Sequence, residues 1–324
     1  MNQLISHEIC ICTRGRTQSL LVLLESLATC NNIQSKLIRI VFNGDSPTLE
    51  LLRSIEEIRA SKKLNLAVNY SAPGLATARN FALDKSDSDL ITFIDDDITL
   101  EKNCFDEIEQ FFKLNERIVG STPIISGMYS DLKSSSIGRL KHKWIRTKLQ
   151  GKLTKSGKNF WFTDDGAEPT HTDAMWLPGC CMTYRRARLI DIRFPEELQN
   201  GPTGGYSLGE DVVFSIRASK FGELQLNQKA RVFHEKAEGI RDNRKIMAIA
   251  LGKFLAYETR EVPRLVSIKA VSIRLLFEIS SLCGKTLLQP KRFIDLKFKL
   301  MEFHGFLSEL KSPVLVSKGL KHER

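Results

Sequence analysis

Apolar and polar positions follow two different rhythms along the first 120 residues. "EICICT" (8–13), "LIRIVF" (37–42), "LNLAVNY" (64–70) and "LITFI" (90–94) are short runs rich in β-branched and aromatic residues, which predicts strands. "TQSLLVLLESLATC", "TLELLRSIEEIRAS" and "GLATARNFALDK" lie between them with apolar residues three and four apart, which predicts helices; "NCFDEIEQFFKLN" follows the fourth strand. Ser46 can cap the second helix and Pro47 can start it. Repeated β-α units of this length imply an α/β fold, with a mostly parallel sheet and helices on both faces. Ligands of such sheets bind beyond the carboxyl ends of the strands. "CTRGR", "FNGDS", "YSAPG" and the triplet Asp95, Asp96, Asp97 all fall there, so one rim collects them.

The pattern breaks after Gly120. A stretch from Lys133 to Lys158 has little periodicity and predicts a mobile loop. "MWLPGCCMTY" and "KARVFHE" predict shorter strands. The helix "GEDVVFSIRASKFG" lies between them, with Val212, Val213, Ile216 and Phe221 on its apolar face. From residue 241 the chain reads as helical, with breaks near Pro263, Pro290 and Pro313. This organisation predicts a catalytic domain over 1–240, split into halves at 120, and a helical extension over 241–324.

Composition narrows the class. With 42% hydrophobic and 27% charged residues, the chain is neither disordered nor fibrous. "MNQLISHEICICTRG" reaches charges and a strand pattern before any signal-type apolar stretch. Seven scattered cysteines, among them Cys10, Cys12, Cys180 and Cys181 in apolar surroundings, lack metal-site or disulfide spacing and predict reduced, buried thiols of a cytoplasmic protein. The net charge of +10 is unevenly placed: residues 241–324 hold 17 Lys and Arg against 8 Asp and Glu, whereas residues 1–240 hold 31 against 30. Residues 133–158 add nine basic residues and no acid. One-sided charge of this kind suits an anionic partner such as a diphosphate or anionic lipid. No aromatic-and-basic RNA motif accompanies it, and the near-neutral 1–240 region argues against nucleic acid.

Three adjacent carboxylates at a strand end repel one another, and a helix cap needs only one. Asp95 and Asp97, one residue apart, suit a hard divalent cation, Mg²⁺ or Mn²⁺. Glu210 and Asp211 open a helix, where acids also complement the helix dipole; His234 ends a strand-like run. "DDDITL" matches the D-x-D-x-T-L string of haloacid-dehalogenase phosphatases, which would make Asp95 a nucleophile, but three β-α units precede it here.

The order of motifs resembles the family 2 glycosyltransferases of the GT-A fold. The matching parts are "ICICTRGRTQSLLVLLESL", "IVFNGDSP", "APGLATARNFAL", "FIDDDITL", "LPGCCMTYRRARL", "GEDVVFSIRASKFG" and "RVFHE", spanning residues 7 to 235. Where members often show two acids before Gly, this chain has Asn43, Gly44 and Asp45. The resemblance implies an inverting enzyme that moves a sugar from a nucleoside diphosphate, UDP-linked, to a hydroxyl of a glycan or lipid-linked acceptor in bacterial surface-polysaccharide synthesis. Thr13 and Arg14 would lie against the nucleotide, Asp45 or Asn43 at the base or ribose, and Asp95 and Asp96 beside them. Gly74 would let the backbone approach the nucleotide, with Arg79 and Asn80 facing base or diphosphate. Asp95, Asp97 and His234 would hold Mn²⁺ or Mg²⁺. Asp211 would be the base with Glu210 in support, and Trp176, Gly179 and Cys180 would line the acceptor side.

The extension carries Leu265, Ile268, Leu275, Leu276, Ile279 and Leu282 at helical spacing, interrupted by Lys269, Arg274 and Glu278, too often for a spanning helix. It predicts packing on the catalytic domain or a second subunit, or peripheral contact with the inner face of the cytoplasmic membrane.

Overall fold

Strand β1 (His7–Thr13) is buried along its whole length because it lies in the middle of a sheet covered on both faces. The structure is a computed structural model that describes residues 5–44, 46–127, 149–159, 161–162, 171–200, 206–234, 244–261, 263, 266–289 and 292–311. β1 pairs in parallel with β2 (Leu37–Asn43) and β4 (Leu90–Ile94), and β2 pairs in parallel with β3 (Leu66–Ser71). The connecting helices are α1 (Thr17–Ala28), α2 (Leu49–Lys62) and α3 (Leu75–Lys85), and α4 (Cys104–Leu114) follows the carboxylates. The second helix starts at Leu49. Its cap is Thr48, whose Oγ1 accepts from Leu51 N at 3.2 Å, so Ser46 and Pro47 do not form the start the sequence suggests.

The remaining strands are β5 (Ile98–Leu100), β6 (Ile118–Ser126), β7 (Asp173–Ala174), β8 (Cys181–Arg185), β9 (Gln199–Asn200), β10 (Tyr206–Ser207) and β11 (Glu223–His234). Among the described residues the main sheet runs β3-β2-β1-β4-β8-β6-β11-β5, with β7 beside β11. Beyond β4 it is mixed: β8 is antiparallel to β4 and β6, β11 is parallel to β6, and β5 runs antiparallel to β11. β9 and β10 form a separate two-stranded ribbon. Polar residues of three neighbouring strands are paired with one another. His7 Nε2 lies 2.7 Å from Thr92 Oγ1, which lies 2.6 Å from Thr183 Oγ1, linking β1, β4 and β8.

Helix α5 (Glu210–Ala218) buries Val212, Val213, Phe214 and Ile216. Phe221 lies outside the helix and is 51% exposed, so it does not belong to that apolar face. The seven cysteines carry no disulfide, and all but Cys283 are buried. Of the basic stretch, 133–148 lies outside the described residues.

The chain divides into two compact units. The first is residues 1–154 with 158–242, and the second is 155–157 with 243–324. The second unit is built of α6 (Arg244–Glu261), α7 (Ile268–Leu288) and α8 (Phe293–Lys311). α6 and α8 approach closely because each places a glycine at the crossing. A Cβ on Gly252 would lie 2.0 Å from the Glu302 carbonyl oxygen, and one on Gly305 would lie 2.6 Å from that of Ile249. Leu275 and Val271 are buried, while Leu276 is 51% exposed and so stands outside the packed stripe. Leu265 and Pro313 lie outside the described residues. Among those residues no helix is long and apolar enough to cross a membrane.

Candidate active site

The sheet delivers its functional side chains to one rim. β4 ends at Ile94, which is paired with Cys181, and Asp95 N donates to Cys180 O at 3.0 Å. The three carboxylates that follow diverge. Asp96 turns inward, accepting from Thr13 Oγ1 at 2.6 Å and from Arg16 at 3.0 Å. Asp97 Oδ2 accepts from the same Arg16 nitrogen at 2.8 Å. Asp95 Oδ1 accepts from Arg79 at 3.2 Å.

His234 reaches this cluster through sheet register. It is the last residue of β11 and pairs with Ile98 of β5, directly after Asp97. Its Nε2 stands 3.5 Å from Asp97 Oδ1. Asp95, Asp97 and His234 each offer one ligand atom, and the three lie within 4.8 Å of one another. Asp97 Oδ1 and His234 Nδ1 are buried without hydrogen-bond partners among the described residues. Orphaned buried polar atoms are costly, and two carboxylates with an imidazole form a donor set for a divalent cation.

Arg79 connects this cluster to a second pair of acids. It is buried on α3 and donates to Glu210 Oε1 at 2.8 Å, to Gly179 O at 2.9 Å and to Asp95. Its guanidinium lies over the Phe194 ring, itself stacked on Phe214 at 3.7 Å. Burial alone would lower its pKa, but Glu210 and Asp95 outweigh that and hold it above the ordinary value. Asp211 is fixed by backbone donors: Gly179 N to Oδ2 and Val212 N to Oδ1, both at 2.8 Å. A side chain at Gly179 would be crowded, because a Cβ would lie 3.0 Å from Arg79 and 3.2 Å from Asp211 Cβ.

Crowded carboxylates withdrawn from water hold protons more tightly. Desolvation, reinforced by Glu210, pushes Asp211 up to about 7, against the pull of Arg79 and the two backbone donors. Asp95 also rises to about 7, from desolvation and from Asp97, Asp96 and Glu210, with Arg79 opposing. A carboxylate poised there suits proton transfer near neutrality.

Residues 8–188, more than half of the chain, match glycosyl transferase family 2. The chain belongs to this family. It is therefore an enzyme, a glycosyltransferase, and not a haloacid-dehalogenase-type phosphatase or a non-catalytic binding module. Solved structures share the fold. Mannosyltransferase PcManGT from Pyrobaculum calidifontis, in complex with GDP-Man and Mn²⁺, superposes with a TM-score of 0.57 at 10% identity, over 96% of this chain and 88% of its own. GalNAc-T7 with UDP, GalNAc and Mn²⁺ superposes at 0.53 with 14% identity, covering 81% of this chain. This glycosyltransferase spans about half of that chain, 52%. No curated protein matches the sequence.

Several residues singled out in the sequence of this glycosyltransferase have other work. The amide of Asn80 is turned away from the rim: Nδ2 donates to Phe194 O and Glu196 Oε1, and Oδ1 accepts from Phe194 N. Trp176 is 5% exposed and packs edge-on against Trp161 at 5.3 Å. Cys180 contributes its carbonyl to Asp95; burial, then Asp95, raises its thiol pKa. The space beside Gly74 belongs to Gln199, whose Oε1 would lie 1.9 Å from an added Cβ. Thr13 spends its hydroxyl on Asp96. Asn43 ends β2 and accepts from Gly74 N at 3.5 Å, Arg14 is half-buried beyond β1, and Asp45 lies outside the described residues.

Two residues escaped the sequence reading. Arg16 bridges Asp96 and Asp97, and Gln199 accepts from Thr77 N at 3.2 Å while covering Gly74. "TRGR" offers two arginines at the same strand end, and spacing alone does not choose between them.

Proposed function

We propose that the enzyme transfers a sugar from a nucleoside diphosphate, UDP-linked, to a hydroxyl of a glycan or lipid-linked acceptor, with inversion at the anomeric carbon. The carrying observation is the convergence of Asp95, Asp97 and His234 within 4.8 Å at the strand-end rim, linked through Arg79 and Gly179 to Asp211. That PcManGT is in complex with GDP-Man and Mn²⁺, and GalNAc-T7 with UDP, GalNAc and Mn²⁺, supports a metal on that triad. A bound Mn²⁺ or Mg²⁺ would neutralise charge on the departing diphosphate.

The chain's own residues supply the rest. Asp211 takes the proton of the acceptor hydroxyl as its oxygen bonds to the anomeric carbon and the bond from that carbon to the diphosphate oxygen breaks. The nucleoside diphosphate leaves with the bonding electron pair, and one displacement turns an α-linked donor into a β-linked product. Gly179 N and Val212 N hold the Asp211 carboxylate in one orientation, so the base is positioned before substrate arrives. Glu210 fixes Arg79 and raises the Asp211 pKa through its charge. Assembly of a surface polysaccharide fits this acceptor class.

A thermal-shift panel of UDP- and GDP-sugars, with and without Mn²⁺, tests the reading. Stabilisation of about 2.7 kcal/mol is expected at a hundredfold excess over Kd for the true donor. Indifference to every nucleoside diphosphate would end it.

A further inference from the structure

In the middle of helix α7 the two charged residues face α8, Val271 and Leu275 are buried, and a further apolar stripe is left uncovered. Between Ala270 and Gly284 the sequence holds two charged residues, Arg274 and Glu278. Both point to α8: Arg274 lies 3.7 Å from Glu302, and Glu278 lies 3.0 Å from Lys299, which also pairs with Glu302. Glu302 itself is only 4% exposed. The opposite side of α7 carries Ile273, Leu276 and Phe277, and Phe277 is 73% exposed. Ser280, Cys283 and Gly284 continue that face without a charge. Positions 273, 276, 277, 280, 283 and 284 fall on one helical stripe. A helix facing water shows the reverse arrangement.

Helix α8 adds a second exposed stripe, in which Phe293, Leu300 and Leu307 alternate with Lys297 and His304. A cavity of about 480 Å³ opens among Phe293, Lys297, Leu300 and His304 with Ile249, Leu296 and Met301. Large exposed apolar side chains gathered on one helix face mark an interaction site.

Charge selects the occupant. Residues 241–324 carry 17 basic and 8 acidic side chains, so a second copy would set like charge against like. Exposed Lys269 lies at the N-terminal end of the α7 stripe, and exposed Lys285 lies near the C-terminal end of the helix. Anionic lipid attracts each nearby cation, and an apolar stripe flanked by cations lies in the headgroup layer rather than crossing it. We propose that α7 rests on an anionic lipid surface, with Ile273, Leu276 and Phe277 entering the headgroup region. This is independent of the transfer chemistry.

Flotation of the full chain with phosphatidylglycerol–phosphatidylcholine vesicles and with phosphatidylcholine vesicles tests it. The wild type should float with the anionic vesicles and stay behind with the neutral ones. Ile273→Ser/Phe277→Ser and Lys269→Glu/Lys285→Glu should each weaken binding at least about tenfold. If the serine variant fails to fold, the charge reversal carries the test, since it leaves the apolar stripe intact. Failure of the wild type to float at low salt, or flotation of both variants like the wild type, overturns the proposal. So does a wild-type dimer in sedimentation that the serine variant disperses, because a second copy would then cover the face.

Discussion

At the strand-end rim, five acids (Asp95, Asp96, Asp97, Glu210 and Asp211) meet two arginines, Arg16 and Arg79, and backbone N–H groups. Between α7 and α8, two acids meet two bases: Glu278 and Glu302 against Arg274 and Lys299. The first set is left short of positive charge, with Asp97 Oδ1 and His234 Nδ1 unpartnered among the described residues. The second set is internally balanced, and what it leaves uncovered is apolar surface on the far side of α7. The unmet need differs accordingly: a cation at the rim, an apolar neighbour at the helices. A charge cluster is informative through its imbalance rather than its size, since balanced pairs contribute little net energy.

The comparison breaks most visibly at Asp211. Asp211→Asn keeps the hydrogen bond from Gly179 N but cannot accept a proton, so kcat should fall about 10²–10⁴-fold with nucleotide binding nearly unchanged. Steady-state transfer and nucleotide titration separate the two effects. A dead Glu210→Gln beside an active Asp211→Asn would reverse the roles. With Asp211 raised to about 7, its basic form is lost as pH falls, so kcat should drop about tenfold per unit below that value and level off above it. A flat wild-type profile from pH 5 to 8 would remove Asp211 as the base.

The imbalance itself is tested at Asp97. Asp97→Asn removes a ligand charge while Arg16 keeps its contact with Asp96. Mn²⁺-dependent stabilisation, about 2.7 kcal/mol for wild type at a hundredfold excess over Kd, should largely disappear. Electron paramagnetic resonance titration of Mn²⁺ gives the same answer without turnover. Unchanged Mn²⁺ affinity would place the ion elsewhere.

The first half of the sheet was legible because parallel strands buried on both faces are continuous apolar runs, and "EICICT" and "LITFI" are such runs. The carboxylates were legible because three in a row at a strand end exceed what a helix cap needs. β6 was not, since Ser121, Thr122 and Pro123 interrupt it and Thr122 is satisfied by the distant Cys181 carbonyl at 2.7 Å. β5 is three residues long, too short for a period to show. The partners of Asn80 and Trp176, Phe194 and Trp161, show no spacing signal in the sequence. His234 was found by motif order, but only the β5–β11 register explains why it meets Asp97.

A smaller effect is expected in the helical unit at Gly252→Ala. The new methyl would lie 2.0 Å from the Glu302 carbonyl, a backbone atom, so the α6–α8 crossing must open. Overpacking of this sort costs about 1–3 kcal/mol. It also strains the helix that holds Glu302 against Arg274 and Lys299. Calorimetry should show a lower Tm, and an unchanged Tm would mean the crossing is looser than the distance implies.

The smallest effect sharpens the comparison most. Phe277 is among the largest apolar side chains of α7, and a packed Phe replaced by a small residue costs about 3–5 kcal/mol. At 73% exposure it has little packing to lose. Phe277→Ser should therefore change stability in detergent-free buffer by no more than about 0.5 kcal/mol, as surface substitutions do. Serine also lacks phenylalanine's demand for cover, so solubility should rise rather than fall. Chemical denaturation of both proteins at several concentrations reads this directly. A loss of more than about 2 kcal/mol would mean that Phe277 packs against protein in solution. The outward face of α7 would then be interior surface, and the contrast with the acidic rim would vanish.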